Sequence, residues 1–216
     1  MQWRCCLVTD RARLGPGWPS ALPDLVARAA AAGVDLVQVR ERGLEARELG
    51  ALVARCRRAI DGSGTRLLVN DRLDIALAEG AHGVHLPTGG LPPAAVRAHA
   101  GPGFLIGRSV HSAEEAASVT AEGGADFLVF GTVFPSHSKP GVEPAGLTRV
   151  AATAAATHLP VLAIGGITEA TLGGLAGSGA AGVAAIGFLT VESVEEMCRR
   201  VRLVRKAFDT LGHQVP

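Results

Sequence analysis

Four groups of residues in this chain are suited to chemistry. The first is glycine-rich: Gly165 and Gly166 in AIGGIT, and Ile186 and Gly187 in AAIG. Bare backbone N–H groups in such turns, with a helix N-terminus behind them, make an anion cradle. The plainer reading is that the glycines only permit tight turns, but two such loops in neighbouring units favour the cradle. Ser136, Ser138 and Lys139, in the polar loop SHSKPG, would add hydroxyls and a positive charge to the same anion. The second group is Gln38-Val39-Arg40, where strand alternation sends residues 38 and 40 to the same side. An inward guanidinium needs an anion, either a carboxylate or phosphate ligand or an internal acid such as Asp71. The third is His111, with Ser109, in IGRSVHSAEE. An imidazole, with its ordinary pKa of about 6.5, suits proton transfer at neutral pH. The plainer reading is an exposed residue at a helix start. The fourth is Asn70-Asp71. A single carboxylate can hold Mg2+ together with substrate phosphates, yet the next polar loop, Leu86 to Gly90, contains no acid. Among the other histidines, His85 reads as packed and hydrogen-bonded, while His82, His99, His158 and His213 read as surface.

Positioning these groups requires a scaffold that brings distant loops together. Eight apolar runs punctuate the chain: CCLV (5–8), LVQVR (36–40), RLLVN (66–70), GVHL (83–86), FLIGRS (104–109), FLVFG (127–131), PVLAIG (160–165) and GVAAIG (182–187). Each is short and continuous, as strands of a parallel sheet covered on both faces are. Helix candidates lie between them, among them LVARAAAAG, ARELGALVARCRRAI, PPAAVRAHA, SAEEAASVTAEGG and TLGGLAGSG. Ser112 and Glu115 predict a capping box, and Thr168 an N-cap. Eight strand–helix units over 216 residues predict a single (β/α)8 barrel spanning 1–216. No GxGxxG follows the first strand, which counts against a dinucleotide-binding sheet. A weak repeat (AGVDLVQV, EGAHGVHL, GGADFLVF, GAAGVAAI) leads into every second strand, as quarter-barrel modules would. In such a barrel all four groups fall at the C-terminal rim, where barrel active sites sit.

Composition narrows the function further. The net charge is +1, aromatics make up 4% and Tyr is absent. That gives no field or stacking platform for nucleic acid, and none for an acidic membrane surface. The four cysteines show no CxxC or Cys/His metal spacing, so they read as small buried hydrophobes in a reducing compartment. With no signal-like or membrane-length segment, the expected location is the cytoplasm.

The runs LVTD, VQVRE, NDRLDIAL, GVHLP, IGRSVHS, GADFLVFGTVFPSHSKPG, LPVLAIGGIT and GVAAIG resemble, in order, the thiamine phosphate synthase superfamily. One branch joins a pyrimidine diphosphate to a thiazole phosphate using Mg2+. Its fourth-strand loop carries an Asp for the metal, where this chain has Gly90. Its TxTK loop corresponds to residues 136–139, and its phosphate-loop Ser to Gly187. The stretch LPTGG and the run IGRSVHSAEEA look more like the thiazole tautomerase branch. That resemblance implies a cofactor-free isomerase, which aromatises a carboxythiazole phosphate. His111 would take and return the proton, and Arg40 would hold the carboxylate or stabilise charge. Gln38, Asn70, Ser109, Ser136, Ser138 and Lys139 would bind substrate. Gly165, Gly166, Ile186 and Gly187 would cradle its phosphate. Asp71 and Gln38 are the synthase-like choices, so the alternatives are an Mg2+-dependent synthase using Asp71, or a silent ligand-sensing homologue. The resemblance also suggests a homodimer.

Overall fold

The computed structural model describes residues 3–136 and 141–209. Its strands are β1 Cys5–Val8, β2 Leu36–Val39, β3 Arg66–Asn70, β4 Gly83–Leu86, β5 Leu105–Val110, β6 Phe127–Gly131, β7 Val161–Ile164 and β8 Gly182–Ala185. The helices are α1 Trp18–Ala31, α2 Ala46–Ala59, α3 Leu73–Ala78, α4 Pro93–Ala100, α5 Ala113–Glu122, α6 Gly146–Ala155, α7 Glu169–Ala176 and α8 Val194–Asp209. All strands pair in parallel with their sequence neighbours, and β1 closes on β8 with Cys5 opposite Val183. This is the expected closed barrel. No helix among the described residues is long and apolar enough to cross a membrane.

Strand alternation sorts the core into two parts. Cys6, Val8, Leu36, Leu68, Phe127, Val129, Leu162 and Ala184 pack together inside the barrel. Their neighbours along each strand, such as Leu7, Val37, Leu67, Val84 and Val183, face the helices in the larger cluster. Phe127 is fully buried and dominates the interior. Gly107 makes room for it: a Cβ there would lie 2.4 Å from the Phe127 ring and 2.8 Å from His85 Nδ1. Burial pushes the thiols of Cys5 and Cys56 up to about 12, consistent with cysteines that only fill space.

Several boundaries differ from the sequence reading, each for a local reason. The run LVARAAAAG is only the second half of α1, which begins at Trp18 and contains Pro23. A proline cannot donate to the carbonyl four residues earlier, and that carbonyl, of Pro19, accepts instead from Arg55 on α2. The ends of LVQVR, PVLAIG and GVAAIG leave the sheet, so Arg40, Gly165 and Ile186 belong to the rim. The Ser112–Glu115 box is half-formed. Ser112 Oγ accepts the Glu115 N–H at 3.2 Å, but the Glu115 carboxylate accepts from His111 N at 2.8 Å, one residue upstream. Thr168 does cap α7, with its N–H donating to Thr171 Oγ1 at 2.9 Å. His82 is not a plain surface residue: its Nδ1 accepts the Leu67 N–H at 3.0 Å.

Candidate active site

Two adjoining hollows open at the C-terminal ends of the strands. The smaller, about 120 Å³, is the barrel mouth. Gln38, Arg40, Asn70, Ser109 and His111 line it together with Arg42 and His85. The larger, about 580 Å³, lies between the loops after β7 and β8. Ser136, Gly165, Gly166, Ile186 and Gly187 line that one. Ile164, Gly165 and Ile186 border both, so the hollows form one continuous surface. Ser138 and Lys139 lie outside the described residues.

In the mouth, strand alternation aims Gln38 of β2 and His85 of β4 inward on either side of β3. Gln38 Nε2 donates to Asn70 Oδ1 at 3.4 Å, setting two amides side by side. His85 is buried, and its Nε2 lies 2.8 Å from Ser109 Oγ. Burial, reinforced by Arg40 and Arg108, drives the His85 pKa down to about 3. His85 is therefore a neutral partner that orients the Ser109 hydroxyl. His111 sits just past β5 and is exposed, with its Nδ1 2.5 Å from the Gly131 carbonyl. A carbonyl can only accept, so Nδ1 carries the proton and Nε2 is left as an acceptor.

Arg40 departs from the simpler of its two expected roles. Its guanidinium forms no ion pair with Asp71 or any other acid among the described residues. Burial first, and Arg42 second, push its pKa down. Asp10 and Glu41 act in the opposite sense without forming an ion pair, so two guanidinium groups share the mouth, an arrangement that favours an anionic ligand. Sequence reasoning missed the group that shapes this corner, the buried Glu41. Its carboxylate accepts from Thr9 Oγ1 at 2.5 Å and from Arg11 N at 3.0 Å, and Thr9 Oγ1 in turn accepts the Arg40 N–H at 3.0 Å. An acid between two arginines, Arg40 and Arg42, reads as a surface charge in sequence, so nothing there announced its burial.

The larger hollow has an exposed backbone. Gly165 and Gly166 adopt φ of +105° and +65°, where L side chains are strained. A Cβ at Gly165 would lie 2.5 Å from Thr132 Cγ2, and one at Gly166 2.6 Å from Phe134 Cβ. Among the described residues, the N–H groups of Gly166, Ile167, Gly187 and Phe188 donate no hydrogen bond. Unpartnered N–H groups around one hollow, ahead of α7, suit an anion. Arg13 and Arg200 also line it, and neither was picked out from sequence.

The residues do not build a two-carboxylate metal centre. Asp71 is exposed, has φ +65° and lines neither hollow. Its side chain does not pair with Arg40. No group of three or more His, Cys, Asp or Glu among the described residues is placed to hold a metal ion. The loop after β4 is also closed against an acid at position 90: a Cβ on Gly90 would lie 2.9 Å from the Pro87 ring, and Gly90 N donates to Pro87 O at 2.8 Å. Arg108 clamps the same loop through the carbonyls of Thr88, Gly90 and Leu91.

The family profile described as thiamine monophosphate synthase matches residues 5–189. A protein of Chlorobium luteolum named thiamine-phosphate synthase is 40% identical over 205 residues, covering 92% of this chain and 91% of the relative. One of the same name from Methanoculleus marisnigri is 41% identical over 170 residues, covering 78% and 80%. The solved structure of thiamine phosphate pyrophosphorylase from Pyrococcus furiosus superimposes with a TM-score of 0.80 at 29% identity, covering 94% of this chain and 96% of that one. These findings overturn the expectation of a tautomerase, and with it of an isomerase. Relatives that span the chain carry the name of a synthase, a transferase. The LPTGG and IGRSVHS stretches misled because they mark one loop and one strand, whereas the likeness to synthases runs along the whole barrel.

Proposed function

The chain belongs to the thiamine monophosphate synthase family, and we propose that it joins a pyrimidine diphosphate to a thiazole phosphate at the barrel rim. The observation that carries this reading is the pair of hollows sharing Ile164, Gly165 and Ile186. A coupling enzyme must hold two substrates in contact, and proximity alone can supply a large share of the rate. The thiazole phosphate fits the larger hollow, its phosphate against the N–H groups of Gly166 and Gly187. The pyrimidine fits the mouth, against the amides of Gln38 and Asn70 and the hydroxyl of Ser109.

In this coupling the thiazole nitrogen lone pair forms a bond to the pyrimidine methylene carbon. The C–O bond to the diphosphate breaks, and the diphosphate leaves with its electron pair. No proton has to be removed, so the general-base role expected of His111 lapses; its Nε2 serves as an acceptor toward substrate. Charge accumulates on the departing diphosphate, and Arg40 and Arg42 are placed to stabilise it. Mg2+ supplies the same kind of charge stabilisation in the reaction the resemblance implies, but the side chains here do not form its two-carboxylate site.

The test is to incubate the purified chain with hydroxymethylpyrimidine diphosphate and thiazole phosphate, with and without Mg2+, and follow thiamine phosphate by chromatography. Product should form, and Arg40→Ala should slow it roughly 10²–10³-fold. No product under either condition sinks the proposal. The acid-free loop from Pro87 to Gly90 favours one second reading, a chain that binds the phosphorylated thiazole without turnover. Tight binding with no product would identify it.

A further inference from the structure

Arg13 lies on the short 3₁₀ turn Arg11–Arg13 between β1 and α1, far in sequence from both glycine loops. The barrel brings it against Gly187, where a Cβ would sit 3.0 Å from Arg13 Nη1 and 3.3 Å from its Cζ. The absence of a side chain at 187 therefore leaves the space that the guanidinium borders. Asp10 anchors one end of this arrangement. Its Oδ1 caps the turn by accepting the Ala12 N–H at 3.2 Å, and its Oδ2 lies 3.7 Å from Arg13 Nε. That ion pair is longer than a hydrogen bond, and no hydrogen bond of the Arg13 side chain is formed among the described residues. The other arginine lining the hollow is committed. Arg200 donates from Nε to Glu196 at 2.7 Å and from Nη1 to the Phe188 carbonyl at 2.6 Å. Arg13 thus brings to this hollow a guanidinium with no hydrogen bond among the described residues, facing the same space as the unpartnered N–H groups of Gly187 and Phe188.

We propose that Arg13 is a binding residue for the phosphate monoester of the substrate, its guanidinium closing the anion cradle in the room left open at Gly187. The proposal rests on the reading of the larger hollow as a phosphate site. A phosphate dianion held by backbone amides gains charge neutralisation from an arginine, and the planar fork suits two phosphate oxygens at once. Arg13 would also make the site selective for the phosphorylated thiazole over its free alcohol.

Calorimetric titration with thiazole phosphate and with its unphosphorylated alcohol tests this on the wild type, Arg13→Gln, Arg13→Lys, and Arg13→Gln combined with Gly187→Ser. Arg13→Gln should weaken thiazole phosphate binding roughly tenfold to hundredfold, the range for a lost hydrogen bond to a charged group. It should leave the alcohol unchanged. Arg13→Lys should fall between the two. Gly187→Ser in the Arg13→Gln background should recover part of the loss, because its hydroxyl enters the vacated space; in the wild type the same change should weaken binding by crowding Arg13. If Arg13→Gln binds thiazole phosphate within twofold of wild type while the wild type prefers the phosphate to the alcohol, Arg13 is excluded and the phosphate hollow stands. If the wild type binds both compounds equally, both readings fall. Neither outcome depends on whether coupling occurs.

Discussion

His85 shows how far a single side chain's surroundings can move its chemistry. In sequence it is one of seven histidines; in the fold, burial beside two arginines keeps it neutral down to about pH 3. The unfolded chain protonates the same imidazole near its ordinary value of 6.5. Between those two values the unfolded state holds more protons. Stability therefore falls as the pH drops from about 6.5 toward 3, by up to ~1.4 kcal/mol per pH unit from this group. Above 6.5 His85 adds no further dependence. His82, whose pKa burial also lowers, acts in the same direction, and Glu41, whose pKa burial raises, opposes both at acid pH. Thermal melts from pH 7 to pH 4 should show a falling Tm in the wild type and a flatter curve in His85→Gln. Equal slopes would show that His85 is not held neutral. The place of Arg40 at the mouth was legible at this scale because alternation carries residues 38 and 40 to the same side. Glu41 was not, because its burial depends on Thr9 and Arg11 from another strand–helix unit.

The strand β5 couples core packing to the site. Gly107, Ser109 and His111 alternate along one side of this segment: the first accommodates Phe127, the second meets His85, and the third reaches the mouth. Gly107→Ala would place a methyl group within 2.4 Å of the Phe127 ring, whose atoms have no free space to yield. Overpacking of this kind costs about 1–3 kcal/mol. The Gly107→Ala variant should lower the urea midpoint accordingly and weaken pyrimidine-side binding through the displaced His85. An unchanged midpoint would mean the interior is looser than its geometry indicates. The eight strands were legible because each is a short apolar run. The start of α1 was not, since Pro19 and Pro23 resemble helix breakers until Arg55 of a neighbouring helix takes up the freed carbonyl.

At the scale of the molecule, the two ends of the barrel divide the labour. Polar rim loops gather the candidate site, while the opposite end ties the residues flanking β1 to α8. Arg4 is buried there, donating to Asp209 Oδ1 at 3.1 Å and to the Ala181 carbonyl at 2.8 Å. Asp35 accepts the N–H groups of Arg4 and Cys5, each at 2.9 Å, and pairs with Arg205 of α8 at 2.9 Å. Conservative loss of this clasp in Arg4→Met should cost about 0.5–1.5 kcal/mol of global stability, the net worth of an ordinary hydrogen bond whose acceptors return to water. The folded variant should bind thiazole phosphate as the wild type does, because stability resides at this end of the barrel and ligand contacts at the other. Loss of binding without loss of stability would contradict that division.

Apolar periodicity, short loops and eight repeated units were enough, without coordinates, to determine the closed barrel and the rim on which polar residues converge. Motif order along the whole chain was enough to determine the superfamily. The branch was not decided by the two most suggestive stretches, LPTGG and IGRSVHS, because a local run reports only its own loop. Only the folded chain brought Arg13 of the first unit to Gly187 of the eighth, left Arg40 near Asp10 and Glu41 but ion-paired with neither, and closed the Gly90 corner with Pro87. Contacts between residues so distant in sequence leave no periodicity to read, since barrel closure alone sets which side chains meet. The opening glycine loops thus keep their place as the proposed anion cradle, now with an arginine at their edge that sequence spacing gave no reason to connect with them.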